Sequence, residues 1–458
     1  MIRFNPTRPF FSSLTCLSCI ILMTLGLGFF SSSAQAFCGF YVAKANSQLF
    51  NRASTVVVAR KDHNTVITMA ADYQGEAKDF ALVVPVPEIL EKGQIHVASK
   101  ALVEHLDAFT APRLVEYFDR NPCEPEIAFS QAWMRMDASP EEFNILEDAP
   151  LGVTIEAQYQ VEEYDILILS AKQSSGLQTW LDANGYQVPA KAQKVLASYI
   201  KQGMKFFVAK INLEQQDRLG IQKLRPLQMA FSSKRFMLPI RLGTVNAQQD
   251  QEMFVLGLST KGRIETTNYR TIKIPTDIEL PLYTAEVFGD FYKAMFTKAI
   301  EQDHGVMLEY AWNIATCDPC ASQPLSNSQL RQLGAYWLSQ GQTAGTTLGN
   351  TFVTRLHLRY NADTFPEDLM LQETGDRSHF QGRYILRHPW QGERKDCSKA
   401  AAYLDSLPAT FEQQAQNIAR LTGWDISAIR DTMAQNGQPF ETPEQATLWW
   451  QSLWDNPN

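Results

Sequence analysis

A succession of short β-type runs limits what this chain can fold into more than any other feature. Residues 55–59, 65–71, 80–86, 153–159, 165–170, 205–211, 236–241 and 252–258 are rich in Val, Ile, Phe and Tyr and lie between Gly, Pro, Asn and Asp. A later group covers 352–360, 368–372 and 382–387. Strand backbones need neighbours to satisfy their N–H and C=O groups, so so many runs predict sheets rather than a helical bundle. Helices are expected to interrupt them. Ser99 opens a segment reaching Phe118 with Leu102, Leu106 and Phe109 at helical spacing, and 285–300 carries a broad apolar face. Ser175-Gly176-Leu177-Gln178 reads as a capping box on a helix ended by Gly185, and a second Ser-x-x-Gln box starts 326–340. From Cys397 onward the pattern turns helical, over 415–421, 427–434 and a last start at Thr442-Pro443. The expected fold class is α+β. A β-rich, mainly antiparallel body with inserted helices covers 37–393, open to division into two lobes, and a small C-terminal helical region covers 394–458.

The first 36 residues stand apart. Arg3 and Arg8 precede an apolar run over 14–30, then Ser31-Ser32-Ser33 and Ala34-Gln35-Ala36, the small-x-small pattern that signal peptidase cuts. Cleavage after Ala36 is expected, giving an exported protein, periplasmic or secreted, that begins Phe37-Cys38-Gly39. The bulk of Phe37 argues against lipidation of Cys38. The apolar run is about long enough to span a bilayer, but the small residues after it favour cleavage over an uncleaved anchor. No comparable run follows, so no membrane span is expected in the mature chain.

Removing 36 of 458 residues leaves 422, and losing Arg3 and Arg8 moves the formal charge from −8 to −10. With 45% hydrophobic residues such a chain can bury a sizeable core, which argues against disorder. Its acidic balance disfavours nucleic acid and anionic membrane surfaces as partners, leaving an envelope or extracellular ligand.

Cys38, Cys123, Cys317, Cys320 and Cys397 remain after the leader. In an oxidising compartment cysteines pair, and an odd number leaves one over. The expected pairs are Cys38 with Cys123, and Cys397 with Cys317 or Cys320. Cys317-Asp318-Pro319-Cys320 has the spacing of redox dithiols, but Ser322-Gln323-Pro324 predicts a loop where a thioredoxin-like site needs a helix. Zinc would want a second Cys/His pair, and Cys397 alone is offered. A structural disulfide is the favoured reading.

No His-Glu-x-x-His and no Gly-x-Ser-x-Gly occurs, and Ser174-Ser175-Gly176 suits a helix N-cap better than a nucleophile. No catalytic residue, metal ligand or cofactor is therefore assigned. One constellation carries more chemistry. Strand alternation along 352–360 places Arg355, His357 and Arg359 on one face, and Arg383 and Arg387 share a face on a later strand, with His388 beside them. Such guanidinium forks would suit a carboxylate, sulfate or phosphate. The favoured alternative is a solvated face whose arginines pair with Glu367, Asp368 and Glu373. The 415–437 segment has a helix-turn-helix look, but export and acidity argue against DNA. Trp424, Trp449, Trp450 and Trp454 are expected to seal a small core rather than form an exposed binding patch.

Several stretches together carry a likeness. They are Cys38-Gly39-Phe40-Tyr41-Val42, Phe80-Ala81-Leu82-Val83-Val84-Pro85-Val86-Pro87, Ala111-Pro112-Arg113-Leu114-Val115-Glu116-Tyr117, residues 169–180 with Asn184-Gly185-Tyr186, and Lys205-Phe206-Phe207-Val208-Ala209-Lys210. Leu238-Pro239-Ile240-Arg241, Cys317-Asp318-Pro319-Cys320 and Gly382-Arg383-Tyr384 through His388-Pro389-Trp390 complete the set. The chain resembles the uncharacterised exported bacterial family known as domain of unknown function 2330, over nearly the whole mature length. The resemblance implies a location outside the cytoplasm and no reaction. The function expected is a non-enzymatic, disulfide-stapled protein that binds or organises something in the cell envelope. Two alternatives stand: an exported hydrolase-type enzyme with its site where the Arg/His strands meet the body, and a thiol–disulfide protein using Cys317 and Cys320.

Overall fold

The computed structural model describes residues 40–44, 50–74, 80–124, 154–171, 177–178, 180–181, 186–187, 190–218, 224–245, 250–316, 318, 323–339 and 350–440. The leader, Cys38, Cys317, Cys320, Ser174, Ser175, Trp449, Trp450 and Trp454 lie outside the described residues.

In chain order the strands begin with β1 (Phe40–Lys44), β2 (Phe50–Lys61), β3 (Asn64–Gln74), β4 (Phe80–Val86), β5 (Ile95–Val97), β6 (Arg113–Phe118) and β7 (Thr154–Val161). They continue with β8 (Tyr164–Ser170), β9 (Tyr186–Gln187), β10 (Lys205–Ile211), β11 (Leu227–Ser232), β12 (Met237–Leu238), β13 (Gln251–Ser259) and β14 (Ile264–Thr266). The last are β15 (Thr271–Lys273), β16 (Ile278–Leu280), β17 (Val306–Asn313), β18 (Phe352–Tyr360), β19 (Leu369–Glu373), β20 (Phe380–Gln381) and β21 (Arg383–His388). The helices are α1 (Lys100–Thr110), α2 (Ala190–Lys201), α3 (Leu213–Arg218), α4 (Arg241–Val245), α5 (Phe288–Asp303), α6 (Asn327–Gln332), α7 (Ser398–Thr422) and α8 (Ile426–Gln435).

One sheet runs β7-β8-β10-β4-β1-β9, and a larger one runs β15-β17-β18-β13-β2-β3-β11-β5 with β20 on β17. Two small sheets, β12-β19-β14 and β16-β21-β6, complete the set. Most pairs are antiparallel; β2 with β13, β15 with β17, and β21 with both β16 and β6 are parallel. The fold is the α+β, β-rich type expected.

Alternation within single strands builds the layers. In β4, Leu82, Val84 and Val86 join a core shared by the two large sheets, whereas Ala81 and Val83 face a second core closed by Leu196 and Tyr199 of α2. In β2, Val56 and Val58 face the same inter-sheet core, while Val57 and Ala59 pack against Val103, Leu106 and Phe109 of α1. The order is helix, sheet, sheet, helix. Central strands are buried on both faces, which is why they read as unbroken apolar runs. Each fully buried Val, Leu or Phe contributes about 1.5–3 kcal/mol relative to exposure.

The C-terminal helices close a core of their own with the body. Leu280, Phe291, Tyr384 and Leu386 pack against Phe411, Ala415 and Ile418 of α7 and against Ile429 and Met433 of α8. Gly423, at φ +78°, ends α7, and Asp425 caps α8 by accepting the Ala428 N–H at 2.9 Å. Among the described residues no helix is long and apolar enough to cross a membrane.

Three local expectations differ from the structure. The helix opened by Ser99 stops at Thr110 because Pro112 follows; Arg113–Phe118, rich in β-formers, becomes β6. The Ser326 capping box forms, but its helix ends at Gln332 rather than reaching 340. Gly334 sits there at φ +103°, and a Cβ on it would lie 2.7 Å from Val66. The 236–241 run keeps Met237–Leu238 as strand and then turns into α4, because the Asp368 carboxylate accepts the N–H groups of Ile240 and Arg241 at 3.0 and 3.2 Å.

Candidate functional site

The Arg/His face is where the sequence concentrates charge, and the structure takes that charge inside. Arg355, His357 and Arg359 do share one face of β18. Opposite them β17 carries a bulge between Leu308 and Tyr310, which aims Glu309 at the same spot. Glu309 is fully buried, and Arg355 and His357 are each 4% exposed. Arg355 donates through Nε to Glu309 Oε2 at 2.5 Å and through Nη1 to Asp107 Oδ1 of α1 at 2.6 Å. His357 Nδ1 meets Glu309 Oε1 at 2.6 Å, and the Tyr292 hydroxyl of α5 donates to the same oxygen. The His357 ring lies between Phe296, at 3.6 Å and nearly parallel, and Phe254 at 4.2 Å. Among the described residues its Nε2 is buried with no hydrogen-bond partner.

Burial alone would raise the Glu309 carboxyl, but the charges of His357 and Arg355 and the hydrogen bonds they and Tyr292 donate hold it at about 2. Burial and the adjacent carboxylate push the Tyr292 phenol well above its ordinary range. A tyrosine, a carboxylate and an imidazole in line would suit proton transfer, yet phenylalanines cover both ring faces and the carboxylate has no exposed surface. The cluster is a buried ion-pair network that ties β17, β18, α1 and α5 together.

The remaining candidates do not converge on it. Arg359 is held by its cross-strand neighbour Glu252, with Nε 2.9 Å from Oε1. Arg383 and Arg387 lie in a different sheet, where Arg383 pairs with Asp277 and Arg387 with Glu279 at 2.6 Å and Asp119 at 3.4 Å. Beside them His388 Nε2 meets Glu116 at 2.8 Å. The two arginine faces, Arg355, His357 and Arg359 on β18 and Arg383 and Arg387 on β21, thus lie in different sheets and do not merge into one cluster. Their partners are also not Glu367, Asp368 and Glu373. Asp368 binds Arg241 at 3.1 Å and accepts the Tyr199 hydroxyl at 2.6 Å, and Glu373 accepts Ser259 Oγ at 2.7 Å. The reason is register: Glu252 of β13, Glu279 of β16 and Glu309 of β17 lie next to these arginines, and Asp107, Asp119 and Asp277 reach them from flanking segments, whereas β19 pairs with β12 and β14.

The cysteine pairing also differs from expectation. Cys123 bonds to Cys397, with the Cα atoms 5.7 Å apart, which overturns the pairs Cys38–Cys123 and Cys397–Cys317/Cys320. β6 and β21 run parallel with Phe118 opposite His388, so the two chains leave the same end of one sheet and bring these cysteines together. Of Cys317-Asp318-Pro319-Cys320 only Asp318 is described. Its Oδ2 accepts Tyr310 at 3.0 Å and the Gln381 amide at 3.1 Å. The strand before it, β17, pairs antiparallel with the next strand, β18, so this is not the βαβ unit of a thioredoxin-like site.

The two large sheets leave a cavity of about 250 Å³ between them. β3 and β11 supply Ile67, Met69 and Met229; β4 supplies Val84 and Val86; β12 supplies Met237 and Leu238. Met204, Phe231, Pro85, Pro87 and Pro239 line it further, and Gln202, Ser233, Lys234 and Arg235 stand at its mouth. β1 pairs with β4 only over Phe80–Val83, so among the described residues Val84–Val86 are bonded on the β10 side alone. The sequence signals were the Val-Pro-Val-Pro and Leu-Pro steps, but no single stretch reveals a pocket assembled from five. Among the described residues no three His, Cys, Asp or Glu side chains are placed to hold a metal ion.

Fold and site together define an α+β protein of two packed sheets with an apolar inter-sheet pocket and a buried charge cluster. The chain belongs to the family described as an uncharacterized protein conserved in bacteria, domain of unknown function 2330, whose model matches residues 32–372. The match takes in the Val84–Pro87 and Leu238–Pro239 segments of the pocket and ends before the Gly382–Trp390 stretch. No curated protein and no solved structure matches the chain.

Proposed function

We propose that this is an exported, non-enzymatic binding protein of the cell envelope that holds a small apolar group in the inter-sheet pocket. The observation that carries the reading is the contrast between the two candidate sites. The acid–base groups Glu309, His357 and Arg355 are spent on one another and covered by phenylalanines, whereas the pocket is open and lined by apolar side chains with a few polar groups at its mouth. Concave, mostly apolar sites with a few placed polar groups are where small molecules bind. Export is supported by the leader pattern and by the Cys123–Cys397 bridge, which an oxidising compartment preserves.

Two measurements test this. Mass spectrometry of protein from the native host should find an N-terminus at Phe37; a mature chain that keeps Met1 overturns export. A solvatochromic apolar dye should bind the mature protein and be displaced by short alkanes or alcohols. Met204→Trp, which adds bulk to a buried side chain lining the cavity, should weaken the dye by about tenfold, or roughly 1.4 kcal/mol, without lowering the unfolding midpoint by more than a few degrees. Dye binding unchanged in Met204→Trp overturns the assignment of the pocket.

A further inference from the structure

We infer that the pocket takes an anionic single-chain amphiphile: an acyl or alkyl chain on the methionine floor and a carboxylate or phosphate head between Lys234 and Arg235. The inference rests on the binding reading above and names the ligand class of the same site.

The pocket has two chemically different ends. Its floor is formed by the buried side chains of Ile67, Met69, Val84, Val86, Met229 and Leu238, none of which can donate or accept a conventional hydrogen bond. A ligand polar along its length would leave groups unpaired there, each costing roughly tenfold in affinity. The mouth is exposed and cationic. Several arginines elsewhere are neutralised by carboxylates, as Arg225, Arg241, Arg263, Arg359 and Arg383 show, while Arg331 and Arg377 donate to backbone carbonyls. Among the described residues Lys234 and Arg235 pair with no acid. Arg235 is held instead by the Gln202 amide oxygen, 3.0 Å from Nη1 and also at the mouth. The Oε1 of Glu88 nearby accepts the Ser232 N–H at 3.0 Å and the Gln94 amide at 3.1 Å. Adjacent unpaired cations repel each other until an anion joins them. In a protein of formal charge −8 they set two neighbouring positive charges at the pocket mouth, which suits an anionic head.

Size and softness narrow the class. At about 250 Å³ the cavity falls just below the usual range for drug-sized ligands, roughly 300–1,000 Å³, which favours a slender chain over a nucleotide or a fused-ring sterol. Met69, Met204, Met229 and Met237 line it together. Unbranched thioether side chains conform to a flexible partner, which suits an alkyl chain better than a ligand of fixed shape.

Calorimetric titration of the mature protein with n-alkyl carboxylates from hexanoate to dodecanoate, below their micellar concentrations, tests this. Affinity should rise by about fourfold per added methylene and level off once the cavity is full. Decanol should bind about tenfold more weakly than decanoate, and decyltrimethylammonium should not bind measurably. Lys234→Glu/Arg235→Glu, a surface change, should bring decanoate down to the level of decanol and leave decanol unchanged. Decyl phosphate compared with decanoate separates a lipid-derived head from a free acid, and tighter binding of either supports the class. Equal affinities for decanol and decanoate would overturn the anionic head while leaving the apolar pocket intact. Binding of no chain at all, or decanoate binding insensitive to both the rim pair and Met204→Trp, would overturn the pocket reading as well.

Discussion

Glu309→Gln should destabilise this protein by about 3–5 kcal/mol, measured as a loss in equilibrium denaturation at neutral pH. The amide keeps the shape of the carboxylate but leaves Arg355 fully enclosed without the anion that Nε binds at 2.5 Å. The amide keeps a single acceptor oxygen, so it cannot serve Arg355 Nε on one side and His357 Nδ1 with the Tyr292 hydroxyl on the other at once. Asp107, partly exposed, remains on Arg355 Nη1, so the arginine keeps one partner at the edge of the cluster. Replacing the group with apolar side chains of similar volume, as in Glu309→Leu/Arg355→Met/His357→Leu, should cost less than Glu309→Gln alone, because no charge is left stranded. The wild type should also lose stability in acid. The Glu309 carboxyl titrates near 4.5 when unfolded and is held at about 2 when folded. Its contribution is therefore complete above about pH 4.5 and fades as pH falls from there toward 2, by an amount on the order of 3 kcal/mol. Glu309→Gln should lack that limb of the pH profile. A cost under about 1 kcal/mol, or an unchanged acid limb, would show that the cluster is hydrated rather than sealed.

What could be read in the sequence follows from what a local pattern determines. Residues 80–86, 205–211 and 352–360 appear as strands with the expected bounds, because a run buried on both faces needs only β-forming apolar residues to declare itself. Helix Ser99–Phe118 was overrun since Leu114 and Val115 continue an apolar pattern past Pro112, and only the proline separates α1 from β6. The shared face of Arg355, His357 and Arg359 was legible from alternation, but their partners were not. Glu309 reaches them through a bulge, and a bulge leaves no reliable mark in one sequence. The visible hint was a single carboxylate inside the apolar 306–312 run. The pocket was the least legible, since Met69, Val84, Met204, Met229 and Leu238 belong to separate segments and meet only when two sheets stack.

Removing the Cys123–Cys397 bridge should cost about as much as losing the buried carboxylate, and it should act on a different part of the molecule. The bridge closes a loop of 274 residues. On the chain-entropy account a loop of that length restricts the unfolded state by about 5.6 kcal/mol, with 2–5 kcal/mol the usual measured cost of deleting a native bridge. Around it, Arg387 spans Glu279 and Asp119, and the Tyr403 hydroxyl donates to Asp119 at 2.7 Å while accepting the Trp390 N–H at 2.9 Å. These groups join the start of α7 to the ends of β6 and β21. Most are partly exposed, so each pair contributes only about 0–1 kcal/mol, and the covalent link is the dominant restraint on that corner. Cys123→Ala/Cys397→Ala should therefore lower the denaturation midpoint strongly and expose α7 and α8 to proteolysis before the inter-sheet core opens. Reductant should reproduce that change in the wild type and add little to the double variant. Peptide mapping of the unreduced mature protein should recover Cys123 joined to Cys397, with at most one free thiol among Cys38, Cys317 and Cys320. A Cys123–Cys38 or Cys397–Cys317 peptide, or a double variant as stable as the wild type, would overturn the pairing and with it the parallel seam of β6 and β21 as the anchor of the C-terminal helices.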